Sequence, residues 1–158
     1  MYGGFKFMNL DNKYMHLAIK EAKKAYEENE VPIGAVIVKD NKVIARAYNQ
    51  KEKYKNACAH AEILAIQKAS KKLNNWRLIN CTMYVTLEPC AMCASAINQA
   101  RISRLVYSLK DESNGAVNSK IKLYKFKTIN NPPKVKILED KEYKLLIQKF
   151  FKDKRNKR

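Results

Sequence analysis

The sequence lacks two features of proteins that are inserted into or exported across a membrane. No apolar run approaches the roughly 18–20 residues that span a bilayer. The first ten residues include glycine, lysine and asparagine and lack the sustained apolar segment of a signal peptide. Internal repeats and long linkers are also missing. These absences exclude a membrane-spanning protein and predict a cytoplasmic protein whose residues 1–158 form one domain.

Acidic residues are scarce, because 15 Asp and Glu stand against 32 Lys and Arg, a formal net charge of +17. The excess is uneven along the chain. Residues 1–39 carry six bases and five acids, a net of +1, whereas residues 120–158 carry fourteen bases and four acids, a net of +10. A basic C-terminal third is typical of a protein that binds a polyanion, usually nucleic acid. A compositional bias towards lysine explains the charge equally well.

Cysteine is also scarce, with four residues. Nothing marks the chain for secretion, so a disulfide framework is not expected. Cys90 and Cys93 form a C-x-x-C pair, which in a cytosolic protein indicates metal binding or redox chemistry. Cys58 and Cys81 are expected to be small, buried apolar side chains.

Apolar periodicity and β-branched runs predict helices and strands that alternate along the chain. A helix is predicted from about residue 10 to 29, and Pro32 stops it because proline lacks a backbone N–H. The other predicted elements are strands 33–38 and 43–48, a helix from near 60 to 73, a strand 81–87, a helix 91–101, a strand 102–109, a short helix 119–126, a strand 135–138 and a helix 141–152. This order predicts an α/β fold in which helices cover a sheet, with a basic C-terminal helix and tail from about residue 140.

Two short motifs carry the chemistry, and each lies at the predicted start of a helix. They are His60-Ala61-Glu62 and Pro89-Cys90-Ala91-Met92-Cys93. Cys90 and Cys93 are three residues apart, so a helix places both on one face, where they can bind one ion. A helix N-terminus favours the thiolate form that a metal needs. His60 adds a third donor of a type that zinc accepts.

Three protein ligands leave a tetrahedral zinc one open position for water, which is typical of a catalytic site. Zinc lowers the pKa of such a water towards about 7 and makes hydroxide available for attack. Glu62 can take the proton of this water, deliver it to a ring nitrogen, and later protonate the departing amine. H-x-E followed by P-C-x-x-C is the pattern of the zinc deaminases. The alternative is a closed structural site with Cys58 or Cys81 as fourth ligand, which would leave Glu62 without a role.

In these motifs and beyond them, the sequence resembles a bacterial tRNA-specific adenosine deaminase of the cytidine deaminase superfamily. The matching stretches are residues 31–36, 59–63, 75–78, 82–93, 100–102, 106–107 and 150–151. The resemblance implies a three-layer α-β-α fold with a central mixed five-stranded sheet, a homodimer, and conversion of the wobble adenosine of a tRNA anticodon stem-loop to inosine with release of ammonia. It also implies one zinc ion per subunit, held by His60, Cys90 and Cys93, with Glu62 as the catalytic proton shuttle.

The same resemblance suggests two substrate-binding residues, Asn49 after the second strand and Asp111 in the loop after the fourth. Each has an ordinary alternative, because Asn49 could close a turn and Asp111 could be a plain loop acid. Trp76 is expected to pack in the core rather than to stack on a base.

Two other functions are compatible with parts of the sequence. A zinc deaminase of free bases or nucleotides, such as guanine, cytosine or dCMP, would share the metal motif. A non-catalytic, zinc-stabilised RNA-binding module would share the charge but has no need for Glu62. The basic C-terminal third and the wide extent of the resemblance favour the RNA-editing enzyme.

Overall fold

Residues 9–157, the part of the chain that this computed structural model describes, contain four α-helices and five strands. The helices are α1 (Leu10–Glu27), α2 (Ala61–Leu73), α3 (Ala91–Gln99) and α4 (Lys141–Asn156). The strands are β1 (Gly34–Lys39), β2 (Lys42–Tyr48), β3 (Cys81–Leu87), β4 (Arg104–Leu109) and β5 (Lys134–Ile137). Residues 1–8 and 158 of the predicted domain lie outside the described residues.

The first helix begins and ends at residues suited to those positions. The Asn9 side chain accepts a hydrogen bond from the Asp11 N–H at the start. Asn29, with a φ of 62°, follows the last turn in the left-handed conformation that commonly terminates a helix. The helix packs so closely on β1 that a Cβ on Gly34 would lie 2.0 Å from the Ala18 carbonyl oxygen. Glycine is therefore required there.

The strands form one mixed sheet in the order β2-β1-β3-β4-β5. β1 pairs antiparallel with β2 and with β3, whereas β3, β4 and β5 run parallel. Asp40 and Asn41 turn the chain between β1 and β2 with φ values of 51° and 59°, as a two-residue hairpin turn requires. Because β3 and β4 are parallel, the segments that follow them, residues 88–90 and 110–122, meet at one edge of the sheet.

Helices cover both faces of the sheet, and each face has its own apolar cluster. On one face α2 and α3 pack against inward residues such as Ile37, Val85 and Leu105. On the other, α1 and α4 pack against residues such as Val36 and Val106. The predicted three-layer α-β-α fold with a mixed five-stranded sheet is thereby confirmed. None of the helices in residues 9–157 is long and apolar enough to span a membrane.

An ion-pair cluster around the buried Asp11 carboxylate joins α1 to the strands on its face of the sheet. The Asp11 carboxylate accepts two hydrogen bonds from the Arg104 guanidinium, at 2.7 and 2.6 Å, one from Lys136 at 2.8 Å and one from the Tyr84 hydroxyl at 2.7 Å. The Arg104 guanidinium holds the pKa of Asp11 far below its usual range. The cluster therefore joins α1 to β3, β4 and β5 through one side chain.

The short helix predicted over residues 119–126 is wrong. Within this fully described segment, only Leu123–Lys125 forms a helical turn, of the 3-10 type. The N–H groups of Lys120 and Ile121 both donate to the Gly115 carbonyl, at 2.9 and 3.1 Å. The N–H of Ser119 donates to the Glu88 side chain at 3.0 Å. The Leu123 N–H, which would donate to the Ser119 carbonyl in such a helix, donates instead to the Ala116 carbonyl at 3.1 Å, so the α-helical pattern does not form.

Candidate active site

The predicted metal-binding residues lie at the N-termini of two neighbouring helices. His60 is the N-cap residue of α2, Cys90 is the N-cap residue of α3, and Cys93 follows in the first turn of α3. Both N-cap residues have extended backbone, and neither side chain forms the capping hydrogen bond that Ser, Thr, Asp or Asn would provide there. Their side chains are therefore free to point at each other instead.

The three donor atoms converge on one point. The Nδ1 atom of His60 lies 3.7 Å from Sγ of Cys90 and 3.5 Å from Sγ of Cys93. All three donor atoms lie within 4.8 Å of one another, and they form the group in residues 9–157 that is suited to a metal ion. Zn–S and Zn–N bonds of about 2.3 and 2.0 Å at a tetrahedral angle imply N···S distances of about 3.5 Å. The observed spacings fit a zinc ion.

The same three side chains are linked by hydrogen bonds whose protons a bound cation would replace. The hydrogen bond from the Cys93 thiol lowers the pKa of Cys90 to about 4, and it raises the pKa of Cys93. The hydrogen bond with Cys90 raises the pKa of His60. The three side chains thus share protons around one point, and metal binding would displace those protons.

Glu62, in the first turn of α2, lies beside these donors and is only 3% exposed. Burial raises its pKa to about 7. Its Oε1 atom is buried and has no hydrogen-bond partner among the described residues. A buried carboxylate oxygen without a partner is costly to maintain, and such atoms are typical of functional sites. This arrangement provides a proton acceptor next to a metal-binding group.

A cavity of about 860 Å³ opens in front of these groups, and His60, Glu62 and Cys90 all line it. Asn49 and Asp111, the two residues suggested as substrate contacts, line the same cavity. Both are also engaged locally. Asn49 donates from Nδ2 to the Val31 carbonyl at 3.2 Å and accepts from the Lys51 N–H at 3.2 Å. The Asp111 carboxylate accepts from the N–H groups of Ser113 and Asn114.

Two buried acids that line the cavity, Glu30 and Glu88, were not predicted from the sequence as site residues. Glu30 is 2% exposed and accepts hydrogen bonds from the N–H groups of Glu52 and Lys53, at 3.0 and 2.8 Å. Glu88 is also 2% exposed and accepts five hydrogen bonds from the segment 111–119. Each acid fixes one loop at the cavity. Glu88 lies directly before Pro89-Cys90 in the sequence, and this position could have identified it as a candidate site residue.

Two other sequence predictions about side chains are wrong. Cys81 is buried as expected, but Cys58 is exposed, because it lies in the polar turn that precedes His60. Trp76 is 53% exposed rather than part of the core. Its ring is instead covered on one side by the Arg77 guanidinium, 4.3 Å from the ring centroid.

Comparison with known proteins places this geometry among the deaminases. The family model of MafB19-like deaminases matches residues 9–155. A tRNA-specific adenosine deaminase of Bacillus subtilis (strain 168) is 42% identical over 153 residues, which is 96% of this chain and 94% of that protein. A tRNA-specific adenosine deaminase of Aquifex aeolicus (strain VF5) is 41% identical over 90% of this chain and 95% of that protein.

Solved structures of deaminases are also similar to this chain. A structure from a study of A-to-I editing by tRNA:A34 deaminases at the wobble position of transfer RNA superimposes with a TM-score of 0.78. It is 45% identical, and the match covers 80% of this chain and 97% of that one. A guanine deaminase from Bacillus subtilis gives a TM-score of 0.61 and 29% identity, covering 92% of this chain and 93% of that one.

Proposed function

This chain belongs to the tRNA-specific adenosine deaminases, within the family of MafB19-like deaminases, and on that basis we propose that it converts the wobble adenosine of a tRNA anticodon to inosine. The reaction is a hydrolysis. Water adds at carbon 6 of adenine, the bond from that carbon to the exocyclic nitrogen breaks, and ammonia leaves. The observation that carries the chemistry is a three-donor metal group beside a buried carboxylate with an unpartnered oxygen, in one cavity.

We assign one zinc ion per subunit to His60, Cys90 and Cys93. When bound, zinc supplies the Lewis acidity that lowers the pKa of water. Glu62 has the remaining task, because it is not needed as a ligand. Its Oε1 atom accepts one proton from the attacking water and delivers it to a ring nitrogen; it then accepts the second proton, from the hydroxyl now on carbon 6, and delivers it to the departing amine, which leaves as ammonia. The absence of any competing hydrogen bond to Oε1 from residues 9–157 keeps that atom available.

The cavity is suited to an unpaired nucleotide on a charged backbone. An adenosine in an anticodon loop is already single-stranded, so turning it into a pocket costs less than extracting a base from a duplex. Lys120 and Lys154 line the cavity, and their ammonium groups would meet phosphates there. We assign Asn49 and Asp111, which line the same cavity, as contacts to the bound nucleotide and its backbone.

Two further assignments accompany the RNA substrate. Because tRNA is the substrate, the reaction takes place in the cytoplasm. The protein acts as a homodimer, in keeping with its resemblance to this family. Tyr54 and Met92, which are 54% and 37% exposed, offer apolar surface to a second copy. Sedimentation at micromolar concentration tests the dimer, and a purely monomeric boundary would contradict it.

The substrate is tested by offering RNA and free bases side by side. The zinc-loaded protein is mixed with an anticodon stem-loop that carries adenosine at the wobble position, and in parallel with guanine, cytosine and dCMP. We expect inosine at the wobble position, with ammonia released in equal amount. A stem-loop with guanosine at that position is the matched control and should release no ammonia.

The outcome that would contradict the proposal is rapid ammonia release from guanine or a pyrimidine without inosine in the RNA. The 29% identity to a guanine deaminase makes that result a specific alternative. Stoichiometric metal with no turnover of any of these substrates would favour a non-catalytic RNA-binding module.

A further inference from the structure

One carboxylate organises the segment that forms a wall of the substrate cavity. Glu88 Oε2 accepts hydrogen bonds from the N–H groups of Val117, Asn118 and Ser119, at 3.0, 2.7 and 3.0 Å. Glu88 Oε1 accepts from the Asp111 N–H at 3.1 Å and from the Ser119 hydroxyl at 2.6 Å. Both oxygens are fully engaged, so this carboxylate has no free atom for proton transfer or metal binding.

Backbone hydrogen bonds join the same two segments. The Glu88 N–H donates to the Leu109 carbonyl, and the Ala116 N–H donates to the Pro89 carbonyl, both at 2.8 Å. Cys90, a proposed metal ligand, is the next residue after Pro89. Glu88 and Pro89 therefore fix the position of the segment 111–119 relative to the metal group, and no flexible connection intervenes.

Gly115 shows how tightly the chain is folded around this carboxylate. A Cβ at Gly115 would lie 2.4 Å from the Glu88 carboxyl carbon and 2.5 Å from the Asp111 carbonyl oxygen. Both distances are far below van der Waals contact, so any larger residue would displace the carboxylate or the loop. The absence of a side chain at this position is part of the anchor.

The anchored segment and the residues just after it present side chains to the cavity. These are Asp111, Ser113, Asn114, Lys120 and Ile121. We propose that Glu88 is a positioning residue for substrate binding, which holds this wall, hereafter the 111–121 wall, at a fixed distance from the metal group. The inference rests on the proposed function, because the ligand of the wall is the RNA strand around the target adenosine. It assigns the recognition of that strand to a preformed surface rather than to a flexible loop.

The test compares Glu88→Gln and Gly115→Ala with the wild-type protein. Both variants disturb the anchor, one by removing charge and an acceptor, the other by steric displacement. We expect kcat/KM for the anticodon stem-loop to fall about 10- to 100-fold, as a misplaced binding group does, with the fall mainly in KM. Zinc content should stay at the wild-type level, and amide hydrogen exchange should accelerate in residues 111–121.

A merely structural role predicts a different pattern. The active fraction and the zinc content would fall together, and KM would stay unchanged; that result would overturn the proposal. Should both variants fail to fold, Ser119→Ala removes one of the five hydrogen bonds and is expected to raise KM in the same direction, by a smaller factor. An unchanged KM in Ser119→Ala together with unchanged exchange in the 111–121 wall would then overturn it.

The matched control is Glu139→Gln, an exposed acid outside the cavity lining, which should behave like wild type. A failure of the proposed function is recognised separately, because the wild-type protein itself would then form no inosine in the stem-loop. The positioning role is judged only from variants measured against a wild type that is active on that RNA.

Discussion

Asp11 and Glu62 are two buried carboxylates on opposite faces of the sheet. They differ in their hydrogen-bond partners and in the direction in which their pKa values are shifted. Asp11 on α1 accepts four hydrogen bonds, three of them from cationic side chains, and its pKa is far below the usual range. Glu62 on α2 has an oxygen without a partner in the described chain, and burial raises its pKa to about 7.

The difference separates a carboxylate that stabilises the fold from one that is kept ready for chemistry. Complete pairing offsets the cost of burying Asp11, so its contribution is to folding. Incomplete pairing leaves Glu62 energetically unfavourable in the folded state, which a protein retains where function requires it. Burial alone would not have distinguished them, since Asp11 is 7% and Glu62 is 3% exposed.

The largest expected effect is on catalysis. Glu62→Gln keeps the size of the side chain but removes its ability to accept a proton, so the rate of inosine formation should fall about 10²- to 10⁴-fold. Zinc content should be unchanged, and the free energy of unfolding should stay within about 1 kcal/mol of wild type. Single-turnover assays, metal analysis and urea unfolding measure the three quantities. Full activity in this variant would refute the assigned role.

The substitution Asp11→Asn should lower the free energy of unfolding and leave the catalytic rate unchanged. Asp11→Asn removes the charge that pairs with Arg104 and Lys136, and these partners are partly exposed, so water can replace some of the lost interactions. We expect a loss of about 2 kcal/mol. Well below the unfolding transition, kcat/KM for the stem-loop should equal that of wild type. A fall in kcat/KM with no loss of stability would abolish the distinction between the two carboxylates.

The smallest effect is the pH dependence of that stability difference. The pKa of Asp11 is lowered in the folded state, so its contribution is fully present above the unfolded pKa of about 4 and is lost as the pH falls towards the folded value. Urea midpoints at pH 7, 5 and 3 should show the gap between wild type and Asp11→Asn shrinking only at the lowest pH. Asp40→Asn, at an exposed turn, is the control. A gap that is constant across this range would show that Asp11 acts without its charge.

The sequence predicts the elements and the three converging donor residues because local patterns encode them. The alternating and periodic apolar residues predict each strand of the sheet to within about two residues at each end. The spacing of Cys90 and Cys93, and the H-x-E motif, anticipated that His60, Cys90 and Cys93 converge. These predictions depend on residues that are close in sequence, or on a motif whose chemistry restricts the possible partners.

The features that could not be predicted depend on long-range contacts. Glu30 binds residues 52 and 53, and Glu88 binds residues 111–119, through backbone N–H groups that leave no trace in side-chain identity. The segment 119–126 has helix-forming residues, yet the Leu123 N–H, which would donate to the Ser119 carbonyl in a helix, donates to the Ala116 carbonyl. Trp76 is 53% exposed, and its pairing with the Arg77 guanidinium is a contact that composition does not reveal.

The way in which Glu88 holds its neighbours has a consequence for how this enzyme can be modified. Four of its five hydrogen bonds come from main-chain N–H groups, which every amino acid except proline provides. Side chains at Ser113, Asn114 and Lys120 can therefore be exchanged without loss of the loop conformation. On the proposed role of the 111–121 wall, the side chains that would contact the RNA and the atoms that fix the loop geometry are separate sets. Libraries that vary those three positions, with Glu88 and Gly115 kept, would explore specificity on a constant backbone.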